Sequence, residues 1–257
     1  MTIRETPWPE GTPCWVDLAV DDFGQAQEFY GEVFGWDVPV GLPEFGGYAT
    51  ATKDGHPVAG LAPKMRPDQP TAWTVYLASD DVDATVRTIR ENHGKVHADP
   101  MDVSDMGRMA LAVDPGGAFF GLWQSGKHTG FQLASEPGSV AWHENYSRDW
   151  EANKDFYAAV FGWQYDDMSE GGVEYAAFKV GDRPAGGIGR LGDDLPLEMS
   201  AYWNVYFTVE DTDATIAAMR RLGGLVVRDA WDTPYGRMAE VADNQGAPFL
   251  LMGAEQA

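Results

Sequence analysis

At 257 residues the chain is long enough for one large domain or two ordinary ones, each with a core of its own. Forty acidic residues against 18 basic ones give a formal charge of −22, which repels phosphate backbones and anionic lipid surfaces and so argues against nucleic acid and membrane partners. The opening MTIRETPWPEG lacks a basic segment leading into an apolar core, and no apolar run approaches the roughly 18 residues of a membrane span, so a soluble cytoplasmic protein is expected.

The first element, WVDLAV, alternates with period two and reads as a strand: Val16, Leu18 and Val20 form an aliphatic face, Trp15, Asp17 and Ala19 the other. The aliphatic face must cover the helix that follows. That helix, DDFGQAQEFYGEVFG, starts at Asp22, whose side chain can cap free N–H groups, with Gln25 in the capping-box position. Ala26, Phe29, Tyr30 and Val33 make one stripe, and Gly35 is the left-handed stop. Short strands, GYATAT and HPVAGLA, come next, with His56 in the turn ahead of the second. In WTVYLA, Trp73, Val75 and Leu77 take the helix side and leave Thr74 and Tyr76 opposite. A second helix runs from Asp81 to Gly94, and RMALAV and AFFGLW close the first half. Cys14 is the single cysteine, so neither an internal disulfide nor a Cys-x-x-Cys metal site is available.

After the Gly/Ser/Pro-bearing segment GKHTGFQLASEPGS the pattern starts again. Trp15 and Trp142, Phe29 and Phe156, Trp36 and Trp163, and Tyr48 and Tyr175 are all separated by the same half chain, and FYGEVFGW returns as FYAAVFGW. WTVYLASDDVDAT matches WNVYFTVEDTDAT, and MGRMALAVDPGGA matches YGRMAEVADNQGA. The expected organisation is a domain over 1–127, a linker over 128–138 and a second domain over 139–257, each divisible into two β-α-β-β-β modules. In WNVYFTV, Asn204 and Tyr206 lie off the helix side; WHENYS has no aliphatic face, and the repeat places Trp142 and Glu144 in the positions of Trp15 and Asp17.

Strand-Asp-helix-FY-x-x-x-FGW at Trp15 to Trp36 and Trp142 to Trp163, the DDVDAT and EDTDAT helix starts, and DPGGAFFGLW at Asp114 resemble the vicinal oxygen chelate superfamily of glyoxalases, bleomycin resistance proteins and extradiol dioxygenases. The resemblance spans nearly the whole chain. It is strongest to tandem-domain glyoxalase-like members, some of them labelled hydroxylases. It implies an α+β fold of two tandem glyoxalase-like domains, in each of which two modules pair to enclose a cup with a divalent metal at its base. It also implies ligand positions: seven residues ahead of each helix-opening Asp, and one on the last strand. In this chain those positions hold Trp15, Thr74 and Gly121 in the first domain and Trp142, Asn204 and Leu250 in the second. None is a good divalent-metal ligand, so no metal and no cofactor are expected.

A Trp-x-acid pair stands in the metal's place. Asp17 and Glu144, each beneath an indole and between low-dielectric walls, are candidate general acids or bases, and Tyr76 and Tyr206 candidate donors to a substrate oxygen. Trp15, Trp142, Phe119 and Trp123 are candidate stacking surfaces for a planar small molecule, or simply filling for the cups. Thr74, Asn204, His56, Arg108 and Arg237 complete the candidate binding set; the two arginines alternatively pair structurally with Asp17 and Glu144, and His56 alternatively has a surface role. Two functions stay open: a metal-independent enzyme with hydroxylase-, isomerase- or lyase-type acid-base chemistry on an aromatic or polyketide-like substrate, and a protein that sequesters such a compound. Either is expected as a monomer or homodimer.

Overall fold

The computed structural model describes residues 3–253. In chain order these form β1 (Pro13–Val20), α1 (Phe23–Phe34), β2 (Ala49–Lys53), β3 (His56–Pro63), β4 (Trp73–Ala78), α2 (Val82–Glu91), β5 (Lys95–Val103), β6 (Gly107–Val113) and β7 (Phe119–Ser125). The second half repeats them as β8 (Val140–Ser147), α3 (Trp150–Phe161), β9 (Gln164–Asp167), β10 (Tyr175–Val180), β11 (Arg183–Arg190), β12 (Tyr202–Val209), α4 (Thr212–Arg221), β13 (Leu225–Thr233), β14 (Gly236–Ala242) and β15 (Pro248–Gly253). No helix among the described residues is long and apolar enough to cross a membrane.

Each half builds one sheet. The first has the order β2-β3-β1-β4-β7-β6-β5 and the second β13-β14-β15-β12-β8-β11-β10-β9. The two modules of each half join through their first strands, β1 antiparallel to β4 and β8 antiparallel to β12. One strand differs between the halves. β9 pairs with β10 over four residues, whereas its counterpart after α1 shrinks to a single bridge, Asp37 to Thr52. Pro39 follows that bridge and has no N–H to continue the ladder; the repeat has Asp166 there.

The helix ends follow the local chemistry. Asp22 accepts from the Gln25 backbone N–H at 3.0 Å, and the Gln25 amide reaches back to the same carboxylate at 3.0 Å. Gly35 ends α1 with φ 68°, a conformation a Cβ disfavours.

The helices lie between the two sheets, α1 against α4 and α2 against α3. Phe34 packs on Phe207 of the other half at 4.9 Å, and Phe120 on Tyr157 at 5.8 Å. The repeated FY-x-x-x-FGW segments cross this layer. Tyr30 donates to Asp243 at 2.8 Å and Trp36 to the Gly138 carbonyl at 2.6 Å; their copies, Tyr157 and Trp163, donate to Asp114 at 2.9 Å and to the Gly11 carbonyl at 3.0 Å. The two bonds to carboxylate are not equally supported. Asp114 also accepts from Asn145 and Asn153, at 3.0 and 2.9 Å, while among the described residues Asp243 accepts from Tyr30 and the turn's own N–H groups of Gln245 and Ala247.

Asp114→Ala therefore strands more buried donors than Asp243→Ala, and urea unfolding is expected to show it costing about 1–2 kcal/mol more. Equal losses would mean that the asparagines add nothing to the interdomain bond.

Candidate active site

In both halves the face of the sheet turned away from the helices is built around a carboxylate. On the first, Trp15 stands opposite Tyr76 and Asp17 opposite Thr74 across β1 and β4, while β3 places Gly60 beside Asp17. Residues directly opposite in a ladder point to the same face, so these four side chains converge. The missing Cβ at Gly60 is a requirement: one built there would lie 1.9 Å from the Tyr48 hydroxyl. That hydroxyl accepts from the Trp15 indole at 2.7 Å. Burial pushes the Asp17 carboxyl up to about 7, against hydrogen bonds from Tyr76 and Thr74 that pull it down.

The indole side of this cup is covered by the chain itself, while Asp17, Thr74 and Tyr48 stay half-buried. The His128 ring, in the segment between the sheets, sits edge-on to Trp15 at 4.3 Å and against Trp123 at 5.4 Å. The Trp123 indole donates to the His128 carbonyl at 2.9 Å, and burial pushes the imidazole down to about 4, so it stays neutral. Trp15 is 3 % exposed.

The second cup has the same plan and a different lining. Trp142 stands opposite Tyr206, Glu144 opposite Asn204 and Gly187. Glu144, 7 % exposed, accepts from three phenols: Tyr175 at 2.8 Å on one oxygen, and Tyr146 at 3.1 Å together with Tyr206 on the other. The Trp142 indole donates to the Tyr175 hydroxyl at 3.2 Å. Burial raises the Glu144 carboxyl, and the hydrogen bonds of Tyr206, Tyr175, Tyr146 and Trp142 oppose it. Burial and the facing carboxylate push the three phenols up in turn, so they remain neutral donors. Trp142, Tyr146, Tyr175, Tyr202 and Asn204 are only half-buried, which leaves a wall of aromatic surface open above the carboxylate.

The structure thus brings together Trp15, Asp17, Thr74 and Tyr76, and Trp142, Glu144, Asn204 and Tyr206. Trp123 joins the first cup, against His128. The two arginines go elsewhere. Arg108 is held by Asp83 at 2.8 Å and Asp102 at 2.7 Å, and Arg237 by Asp213 at 2.7 Å and Asp232 at 2.8 Å. Pairing of these arginines with Asp17 and Glu144 is not what forms: acidic residues in the first turns of α2 and α4 claim the guanidinium groups, and tyrosines serve the cup carboxylates. Phe119 lies at the outer start of β7, 38 % exposed, with His97 edge-on at 5.5 Å. His56 faces Gln132 at 3.5 Å.

Five further side chains line the cups: Tyr48, Tyr146, Tyr175, Tyr202 and His128. Tyr48 and Tyr175 mark the repeat in the sequence without a signal for the cup, whereas Tyr146 and Tyr202 carry one, since Trp142, Glu144, Tyr146 and Tyr202, Asn204, Tyr206 each run in period two. His128 belongs to a segment with no period to read.

The divalent metal that the resemblance implies does not fit these residues. The positions facing each cup's base carry indoles, Thr74 and Asn204, and on the last strands Gly121 and Leu250. A Cβ at Gly121 would lie 2.1 Å from the Tyr76 ring, so a phenol ring fills the place of a last-strand ligand. Among the described residues no group of three or more His, Cys, Asp and Glu is placed to hold a metal ion.

The family model described as Glyoxalase/Bleomycin resistance protein/Dioxygenase superfamily matches residues 14–122 and again 127–251. The anthracycline biosynthesis protein DnrV of Streptomyces peucetius is 38 % identical over 262 residues, covering 96 % of this chain and 94 % of DnrV. CFP32 of Mycobacterium tuberculosis, provisionally named a glyoxylase, is 38 % identical over 259 residues and covers 97 % of both chains. Among solved structures, the Mn(II)-bound glyoxalase of Novosphingobium aromaticivorans superposes with a TM-score of 0.67 at 16 % identity, over 96 % of this chain and 83 % of that one. The 2,3-dioxygenase LapB of Pseudomonas sp. KL28 gives 0.68 at 11 % identity, over 98 % and 94 %.

Because folding raises the Asp17 carboxyl, the native state holds its proton to a higher pH than the unfolded chain does. Its contribution to stability is complete below the unfolded value of 3.8 and is lost as pH rises through about 7. Asp17→Asn removes that loss, and guanidinium unfolding across this window should show the variant losing less stability than the parent, by on the order of 2 kcal/mol given the partial exposure of the site. Parallel pH profiles for the two proteins would contradict the assignment.

Proposed function

The chain belongs to the Glyoxalase/Bleomycin resistance protein/Dioxygenase superfamily, and we propose that it is an atypical enzyme of that superfamily which takes an aromatic or polyketide-like small molecule into its second-domain cup and moves a proton with Glu144, without a metal. The observation that carries this reading is Glu144 itself: a carboxylate at the floor of a half-open aromatic wall, its proton affinity raised by burial, and held by three phenols. A base so placed gains in proton affinity and is already oriented, the two requirements of acid-base catalysis at ordinary pH.

The half-buried rings of Trp142, Tyr146 and Tyr202 offer planar surfaces to such a body. Tyr206 and Tyr175, both bonded to Glu144, can follow the proton by shifting their hydrogen bonds to the substrate's developing oxygen charge. Isomerase- and lyase-type reactions share this opening step, removal of a proton from the substrate, whereas a hydroxylase-type reaction would in addition need dioxygen as the oxidant. That DnrV and DauV carry anthracycline biosynthesis in their names supports a polyketide-like substrate. The first cup, with His128 over its indole, is the lesser candidate.

A second reading, sequestration without chemistry, is favoured by one feature: both Glu144 oxygens already accept phenol donors, which suits a fixed wall as well as a proton carrier. The helix layer shared between the two halves supports a monomer in either case.

Turnover of a panel of planar polyketides, followed by mass spectrometry, with affinity from titration calorimetry, separates the readings. Glu144→Gln is expected to cut turnover by about 10² to 10⁴ while shifting affinity only a few-fold, and Asp17→Asn to leave both near the parent values. If Glu144→Gln leaves function intact and only Trp142→Ala abolishes binding, the protein sequesters its ligand.

A further inference from the structure

The lining of the second cup also carries information about charge. Trp142, Tyr206, Leu250 and Glu240 stand opposite one another in a single row across β8, β12, β15 and β14. Opposed residues share a face, so Glu240 lies on the same wall as Trp142. The same row in the first half is Trp15, Tyr76, Gly121 and Leu111, so an aliphatic side chain there becomes a second carboxylate here. Tyr146, where the first half has Ala19, leans over Tyr202 with ring centres 5.8 Å apart and planes at 33°, and Tyr202 is within electrostatic reach of both Glu144 and Glu240.

Among the described residues the groups acting on Glu144 at the floor are three phenols and an indole, none of them a cation. At the rim, Arg228 stands opposite Glu240, but its nearest nitrogen is 4.0 Å away and its guanidinium lies over the Trp231 ring at 3.9 Å, largely in solvent. An anionic ligand would meet two carboxylates and the field of a chain with formal charge −22. A neutral one would gain nothing from them. An ammonium group gains twice, from the ring faces and from the carboxylates.

Resting on the reading that the second-domain cup is the ligand site, we propose that this cup selects ligands whose planar aromatic body carries a protonated or quaternary amine, with the body on Trp142 above Glu144 and the cation between the Tyr146 and Tyr202 rings and Glu240.

The test uses the full chain and three naphthylmethyl probes matched in shape, bearing a trimethylammonium, a tert-butyl or a sulfonate group, titrated by calorimetry. The ammonium probe is expected to bind about 10-fold more tightly than the neutral one, with the sulfonate weakest. Most of that preference should survive in about 0.5 M NaCl, where surface attraction is screened. Glu240→Gln and Tyr202→Leu should each cut the preference to about 3-fold or less, with the neutral probe's affinity unchanged by Glu240→Gln. Equal binding of ammonium and neutral probes, both weakened by Trp142→Ala, overturns the charge selection and leaves the cup as the ligand site. A preference that Glu240→Gln does not alter also overturns it, because the attraction then comes from the surface as a whole. Binding that is indifferent to Trp142→Ala, or absent for all three probes, overturns the cup reading and the proposal with it.

Discussion

The arrangement of this molecule depends on two buried phenol-carboxylate hydrogen bonds that cross between its halves, Tyr30 to Asp243 and Tyr157 to Asp114. Each ties a helix of one half to the turn before the last strand of the other. A buried carboxylate needs a strong donor to offset its lost hydration, and a buried phenol needs an acceptor, so each group makes the other tolerable in an otherwise aromatic interior. In each pair the phenol comes from one half and the carboxylate from the other. The helices are thereby committed to the space between the sheets, and the faces left for ligands are the two that point outward.

That constraint explains which parts of the architecture were legible beforehand. The repeat is exact enough in spacing that FYGEVFGW and FYAAVFGW serve as rulers, and period-two parity on WVDLAV, WTVYLA and WNVYFTV sorts core from cup with no further information. Parity is local, and it works where one face is plainly aliphatic. It could not reveal that Tyr30 and Trp36 are partners of the other half, because nothing in a helix stripe distinguishes a hydroxyl that meets its own sheet from one that meets a distant turn. The arginines show the same limit. Arg108 and Arg237 had cup carboxylates and helix-start carboxylates within plausible range, and only the fold shows that Asp83 and Asp213 win them.

The two cups solve one electrostatic problem in the same way and then diverge. A carboxylate beneath an indole can be neutralised by a metal, by a cation or by neutral donors; both cups use neutral donors, with Tyr76 serving Asp17 and three phenols serving Glu144. Glycines make this possible: at Gly60, Gly121 and Gly187 the strand carries no Cβ, and a tyrosine lies across the gap. The tyrosine-on-glycine arrangement occupies the space in which side-chain ligands would otherwise converge. In the first cup the Tyr76 ring over Gly121 thereby fills the place that the resemblance gives to a last-strand ligand.

Divergence follows from what lies above the carboxylate. In the first half the segment between the sheets returns over the cup, and His128 inserts a neutral ring against Trp15 and Trp123. In the second half that role has no counterpart among the described residues, and the positions of Ala19 and Leu111 are taken by Tyr146 and Glu240. One copy of the repeat thus keeps its aromatic floor covered by its own chain, while the other leaves it half-open and adds rings and charge around it. The bonds between the halves draw one phenol and one carboxylate from each copy, so the helix layer constrains both copies alike, whereas the outward faces lie outside that constraint and differ.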